Sequence, residues 1–362
     1  MRKVLLTFLL ASAFSLSSVA QVALNKDSSL TISGYADVYY AFYTDSVGHG
    51  NFQKFPTVSP RHNSFGLNIA VVTLKYSQEK YHVVIGLHYG DIPLSGWSSQ
   101  YNNIQEAYAG FRLSKKIWMD GGFFRTHIGA EGLLPKENIT SSVSIATFNE
   151  PYYESGLKLN YKPSSKFTLD FYLLNGFNIY ADNNEKKSFG MLASYTVNDK
   201  LSLGYSNYLG DDAPDSLAGS HLRNYENIFL NYERNKFKFQ ADIDFITQMN
   251  VDTSANHSAN AWSGFATLKY KPFSKTAVYA RGEFFHDAAG FLDGAFMDTK
   301  NKTTGVELWG LTLGAEYKPT GFSYVRLEAR QLQCDKAQEI FRWKGSDKAS
   351  RSEIMFHIGC FF

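Results

Sequence analysis

Apolar residues recur at every second position through most of the chain. Leu30, Ile32, Ala36, Val38, Tyr40 and Phe42 alternate with Tyr35, Asp37 and Tyr39, and Tyr81, Val83, Ile85, Leu87 and Tyr89 alternate with His82 and His88. The spacing returns in Phe167, Leu169, Phe171 and Leu173, in Phe237, Phe239, Ala241, Ile243 and Phe245, and in the last twelve residues. Period two marks strands whose two faces meet different surroundings. The runs approach the roughly 9–11 residues that cross a bilayer at a tilt, whereas ordinary strands average about 5–6. Connections alternate in length. Short ones fall at 77–80, 115–116, 162–165, 198–200, 234–236, 271–274 and 318–321, and long polar ones at 44–63, 91–103, 129–152, 177–187, 210–222, 250–260, 286–303 and 334–350. Seven short and eight long connections join sixteen strands, with both termini on the short-turn side. The pattern predicts an all-β fold, a transmembrane antiparallel up-and-down β-barrel of about 16 strands with short periplasmic turns and long extracellular loops.

Both ends of the chain agree with an exported barrel. Ile354, Phe356, Ile358, Cys360 and Phe362 form an apolar row that stops on an aromatic. A bare terminal strand of this kind invites aggregation, and pairing it with the first strand removes the edge. The row Phe356, Ile358, Cys360 and Phe362 resembles the C-terminal insertion signal of bacterial outer-membrane proteins, so the barrel-assembly machinery is an expected partner. At the other end, Arg2 and Lys3 precede an apolar run from Val4 to Leu16, and Ser18-Val19-Ala20 offers small residues for cleavage. This reads as a signal peptide cut after Ala20, leaving residues 21–362 as a single barrel domain in outer-membrane lipid. Tyr161-Lys162-Pro163, Tyr270-Lys271-Pro272 and Tyr317-Lys318-Pro319 each end a strand at a tight turn. With Tyr76, Tyr195 and Tyr232 at the same level, they predict an aromatic girdle at the bilayer–water interface.

Composition supports this picture more than it redirects it. There are 29 Phe and 23 Tyr against 9 Pro, and a net charge of +2 gives no reason to expect nucleic acid. Two cysteines, Cys334 and Cys360, make neither a disulfide framework nor a metal cluster. His82, His88, His127, His286 and His357 are scattered without ligand spacing. The acidic stretches 210–215 and 182–185 carry carboxylates of the type that hold Ca²⁺, but solvated loop tips account for them as well.

The polar face of the strands is more informative. It directs Arg112, Arg125, Lys158, Lys238, Lys269, Arg281, Arg326 and Arg330 inward, together with Asp37, Glu106, Glu154, Asp170, Asp242, Asp244, Glu283, Glu316 and Glu328. A charge facing lipid at mid-membrane costs about 2–4 kcal/mol, so these side chains belong in a water-filled lumen. Eight basic against nine acidic groups predict weak ion selectivity. Asp120 and Arg125 have opposite parity on one strand, which places Asp120 at the rim. The connection 129–152 is the longest, and it mixes Leu133, Leu134 and Ile139 with Glu131, Lys136 and Glu137. An apolar cluster suits a loop packed on the inner wall better than one in water. The expectation is a constriction loop meeting Arg112 and Arg281, with Glu131 and Glu137 on its negative side.

The stretch Ile104-Gln-Glu-Ala-Tyr-Ala-Gly-Phe-Arg-Leu113, followed by Gly121-Gly-Phe-Phe-Arg-Thr-His-Ile-Gly-Ala-Glu131, resembles the OmpL-like β-barrel porin family. Asn138, Phe148, Pro151 and Gly156 fit the continuation, and Gly34-Tyr-Ala-Asp-Val-Tyr-Tyr40 and Val325-Arg-Leu-Glu-Ala-Arg330 are similar to it as well. The resemblance implies an outer-membrane porin for passive diffusion of small hydrophilic solutes, and it brings no catalytic or ligand residues. Outer-membrane lipid, such solutes and, in a homotrimer, further copies of the chain are the expected partners, without cofactor or metal. Two other readings remain. An outer-membrane barrel enzyme would need a Ser/His/acid cluster near one rim, which the sequence does not assemble. A secreted soluble β-rich sugar-binding protein would use the aromatics instead.

Overall fold

Alternation along the sequence becomes alternation of surroundings in space. The computed structural model describes residues 22–25, 29–45, 47–48, 50–53, 57–217, 219–252 and 257–362, so the expected signal peptide lies outside the described residues. Leu311 and Leu313 are exposed while Thr312 between them is buried, and Ile354, Phe356 and Ile358 are exposed while Met355 and His357 are buried. Every long strand follows this rule along most of its length, giving an apolar outer belt around a polar and aromatic interior.

Sixteen long strands carry the pattern. They are β1 (Leu30–Tyr43), β2 (Ser64–Ser77), β3 (Tyr81–Tyr89), β4 (Ile104–Ser114), β5 (Ile117–Arg125), β6 (Tyr153–Tyr161), β7 (Phe167–Leu174) and β8 (Ser188–Thr196). There follow β9 (Leu201–Gly210), β10 (Arg223–Arg234), β11 (Phe237–Asp252), β12 (His257–Phe273), β13 (Thr276–His286), β14 (Glu307–Tyr317), β15 (Ser323–Cys334) and β16 (Ser350–Phe361). Each pairs antiparallel with its neighbours in sequence, and β16 pairs with β15 on one side and β1 on the other. The closing register runs from Tyr35 opposite Phe361 to Tyr43 opposite Glu353. No edge remains among the long strands, which satisfies every ladder group without water.

The connection expected at 250–260 is shorter than its composition suggests, because β11 runs to Asp252 and β12 starts at His257. Asn and Thr there resemble loop residues, yet the ladder continues through Thr247 opposite Asn260 and Gln248 opposite Ala259. Backbone pairing in a protruding hairpin does not require apolar side chains.

The three Tyr-Lys-Pro repeats have a structural explanation in addition to the girdle. In each, the Lys backbone N–H donates to a lysine carbonyl of the neighbouring turn: Lys162 to Lys116, Lys271 to Lys236 and Lys318 to Lys275, at 2.8–2.9 Å. The ammonium of that same neighbour then donates to the Pro carbonyl, Lys116 to Pro163, Lys236 to Pro272 and Lys275 to Pro319, at 2.9–3.0 Å. Proline leaves its carbonyl free and fixes the bend, so the motif ties successive turns together. Aromatic pairs sit at the same level, including Phe237 stacked on Tyr270 at 4.9 Å.

Phe362 lies at the closing seam. It exchanges backbone hydrogen bonds with Gly34 at 3.0 Å each way, and a Cβ on Gly34 would come within 2.3 Å of its ring. Deleting Phe362 should lower the amount of folded barrel in the outer membrane and leave periplasmic aggregates. Immunoblots of fractionated cells measure this, and normal insertion would remove the role expected for Phe356, Ile358, Cys360 and Phe362.

Candidate functional site

The connection between β5 and β6 folds into the barrel. It carries a 3₁₀ turn at Pro135–Glu137 and a short helix, α1 (Ile145–Phe148), whose Ser144 hydroxyl caps the Thr147 N–H. Asn138 to Thr147 are all buried, an unusual state for a loop. Their backbone groups find partners on the inward faces of β13 and β15.

Arg281 and Arg326 hold the segment. The Arg281 guanidinium donates to Glu131 Oε1 (3.1 Å), Thr140 Oγ1 (3.0 Å), the Ser142 carbonyl (2.8 Å), Ser142 Oγ (2.8 Å) and the Val143 carbonyl (3.2 Å). Arg326 donates to the carbonyls of Pro135 (2.7 Å), Thr140 (2.9 Å) and Asn138 (3.1 Å), and through Nε to Glu316 (2.8 Å). Acceptors complement them. Glu328 receives the N–H groups of Ser141 and Ser142 at 2.8 and 3.2 Å, and Glu283 receives that of Ile145 at 2.9 Å while pairing with Arg330. A planar, always-charged fork suits these carbonyl clusters, which a lysine point charge would not match. Arg281 is 0% and Arg326 2% exposed.

On its other side the segment faces strands that keep some exposure. Arg125 donates two hydrogen bonds to Glu137, at 2.6 and 3.1 Å. Lys158 pairs with Asp120 at 2.9 Å, while Lys75 and Glu106 are half-buried nearby. Lys136 lies over the Tyr35 ring at 4.8 Å, and partial burial lowers its ammonium from the ordinary value against the pull of Glu137. The Arg125 side chain is 39% exposed and that of Glu137 22%. One wall is thus sealed by the segment, and the opposite wall is accessible.

Several expectations from sequence need correction. Arg112 does not meet the segment; it lies three residues before the β4–β5 turn and reaches Glu79 at 3.7 Å. Parity gives the face of a strand but not the height along it. Asp120 is not at the rim: it is buried, between His82 and Lys158. Arg125, the last residue of β5, reaches Glu137 of the inserted segment, while Asp120 and Phe124 keep one inward parity on an unbroken ladder across Gly122, whose φ is 139°. A Cβ there would come within 2.3 Å of the Ala107 carbonyl. Of the inward charges expected in open water, Asp242, Asp244, Glu283, Arg281, Arg326, Glu328 and Arg330 are all buried. Asp170 is buried against Asn160, and Lys269 pairs with Glu316. The acidic loops 182–185 and 210–215 are held by lysines, Lys187 on Asp182 and Lys186 on Asp211.

One arrangement was invisible in the sequence. The Ser59 hydroxyl lies 3.3 Å from His357 Nε2, and His357 Nδ1 lies 2.9 Å from Asp37. This has the connectivity of a hydrolytic triad. All three residues are fully buried, and Asp37 also accepts from Tyr324 and Asn68. A nucleophile without access to substrate is a satisfied polar core, so the geometry favours a structural role.

Comparison with known proteins follows the same lines. A family model described as "Putative beta-barrel porin-2, OmpL-like" matches residues 29–362. Among solved structures, the outer membrane channel DcaP of Acinetobacter baumannii superposes with a TM-score of 0.62 at 11% identity, over 92% of this chain and 97% of that one. The trimer form of OmpT, an outer membrane protein of Vibrio cholerae, gives 0.58 at 12% identity over 92% and 99%. A mutant of the Rh. blastica porin gives 0.52 at 12% identity over 92% and 100%. No curated protein matches the chain in sequence.

Proposed function

The chain belongs to the OmpL-like β-barrel porin family and is an outer-membrane porin channel; on that premise we propose that the segment 129–152 narrows its lumen and sets what passes. The observation that carries this reading is the asymmetry of burial around the segment. On the side of β13, β14 and β15 its contacts are sealed, so solutes have no path there. On the side of β2 to β6, Lys75, Glu106, Arg125, Lys136, Glu137 and Lys158 keep partial exposure and line the passage. Small hydrophilic solutes diffuse between these charges, selected by width and by the polar groups they meet. The family and fold favour a channel, and the Ser59–His357–Asp37 chain among the described residues is buried away from any substrate.

Thiol labelling tests the assignment. With Glu137→Cys, a bulky thiol reagent should lower single-channel conductance in a planar bilayer; with Thr312→Cys, under the sealed side, current should not change. Cys334 is buried and Cys360 points outward, so the parent protein is a silent control. Equal block at both positions, or none at either, would overturn the asymmetric passage.

Selectivity follows from the same set. Counting Asp120 with them, four basic groups stand against three acidic ones along this side. Weak ion selectivity is therefore expected, read as a small reversal potential across a KCl gradient. The alternating charges Arg281, Glu283, Arg326, Glu328 and Arg330 lie under the segment and do not set it. A strong preference for either sign would show that these buried groups act through the field after all. The trimer form recorded for the Vibrio cholerae protein supports a homotrimeric assembly here too. The signal peptide cut after Ala20 belongs to the same reading, as the route to the outer membrane.

A further inference from the structure

Nearly every carboxylate buried beneath the inserted segment has a cationic partner or a set of hydrogen bonds that accounts for it. Glu131 and Glu283 meet Arg281, Glu283 also meets Arg330, and Glu316 meets Arg326 and Lys269. One group does not fit. Glu150, at the far end of the segment, comes together with Asp242 and Asp244 of β11, each offering an oxygen within 4.8 Å of the others. Among the described residues no Lys, Arg or His forms an ion pair with any of the three, and their hydrogen-bond donors are neutral. Asn227 donates to both Asp242 and Asp244 at 2.7 Å, the Ala130 N–H donates to Asp242 at 2.8 Å, and Ser263 donates to Asp244 at 2.8 Å.

Two further observations point to something held between them. Both carboxylate oxygens of Glu150 lack a hydrogen-bond partner although the residue is 1% exposed. The Tyr225 hydroxyl lies against Asp244, is fully buried, and completes no hydrogen bond either. Unsatisfied buried oxygens are costly, and buried charge without compensation is more so. Burial and the two neighbouring aspartates push the Glu150 carboxyl well above the usual carboxylate range. Such a cluster settles by taking up protons or by binding a cation.

We propose that Glu150, Asp242 and Asp244, with the Tyr225 hydroxyl beside them, bind one Ca²⁺ ion that clamps the end of the inserted segment to β11. The donors are all hard oxygens, which suit Ca²⁺ and Mg²⁺ and not softer metals. Oxygens within 4.8 Å of one another can share a single ion, and a fully buried set of carboxylates suits Ca²⁺, which takes irregular all-protein oxygen shells, better than Mg²⁺, which keeps several waters. The site would gather both ends of the segment, since the Ala130 N–H already donates to Asp242, while Arg326 holds its middle at Pro135, Asn138 and Thr140.

The test uses the full-length folded protein in detergent after chelator treatment. Tb³⁺ is added as a Ca²⁺ probe, its emission is excited through tyrosine, and Ca²⁺ is used to displace it. The expected result is one saturable site that Ca²⁺ competes for, with at least a tenfold loss of affinity in both Glu150→Gln and Asp244→Asn. Heat-modifiable migration on gels establishes that each variant is folded; Glu150→Gln, on the loop, keeps the strand ladder untouched. Absence of saturable binding in the folded parent overturns the proposal and leaves protonation as the way the cluster is neutralised. Unchanged affinity in both folded variants overturns it equally. Because binding is read without current, either failure leaves the channel assignment standing.

Discussion

Removing residues 133–142 should raise single-channel conductance several-fold and admit larger sugars. The segment contributes nothing to the strand ladder, which runs unbroken from β1 to β16 and back to β1. Deletion therefore leaves the backbone hydrogen bonds of the wall intact. It does strip Arg326 of its carbonyl partners and Arg281 of its contacts with Thr140 and Ser142, but water then enters the space and solvates them, so no charge stays buried and unpaired. A sixteen-strand barrel freed of its plug is wide enough for an aqueous channel. Conductance and liposome swelling with sugars of increasing size measure the change. An unaltered conductance and size cutoff, in a variant that still shows heat-modifiable migration, would mean that the segment is not the constriction.

Much of the architecture could be read from one dimension because a membrane barrel imposes a single rule on every strand. Strand number, the short and long sides, and the outward row Ile354, Phe356, Ile358 follow from period two and turn chemistry. The 129–152 segment could be suspected because Leu133, Leu134 and Ile139 are out of place in water. What was not legible depends on height and on contacts distant in sequence. Arg112 and Arg281 share an inward parity, yet one sits by a turn and the other under the segment. The inward contact of Arg125 was hidden because its partner, Glu137, lies on a loop whose path strand parity does not give. Glu150 meets Asp242 and Asp244, and Ser59 meets His357, only because two loops fold inward.

Arg281→Met should unseat the segment while leaving the barrel folded. Arg281 is fully buried and stands between Glu131 at 3.1 Å and Glu283 at 3.6 Å. Methionine fills a similar volume but removes the charge and the hydrogen bonds to Thr140, Ser142 and Val143. Glu283 retains Arg330, but Glu131 is left with no guanidinium. Taking one partner from a buried pair costs about 3–5 kcal/mol, because the other charge is stranded. The segment can escape that cost by swinging into the lumen water, whereas the wall cannot. The expected outcome is a noisy channel with frequent high-conductance openings, and new protease cleavage within 129–152. Adding Glu131→Gln removes the stranded charge, so the double variant should regain a quieter trace than Arg281→Met alone, with a coupling that a double-mutant cycle reads directly. Arg281→Lys should fall between the two, since it restores charge without the planar fork. A quiet trace and parental protease resistance in Arg281→Met would show that the other contacts, above all those of Arg326, hold the segment by themselves.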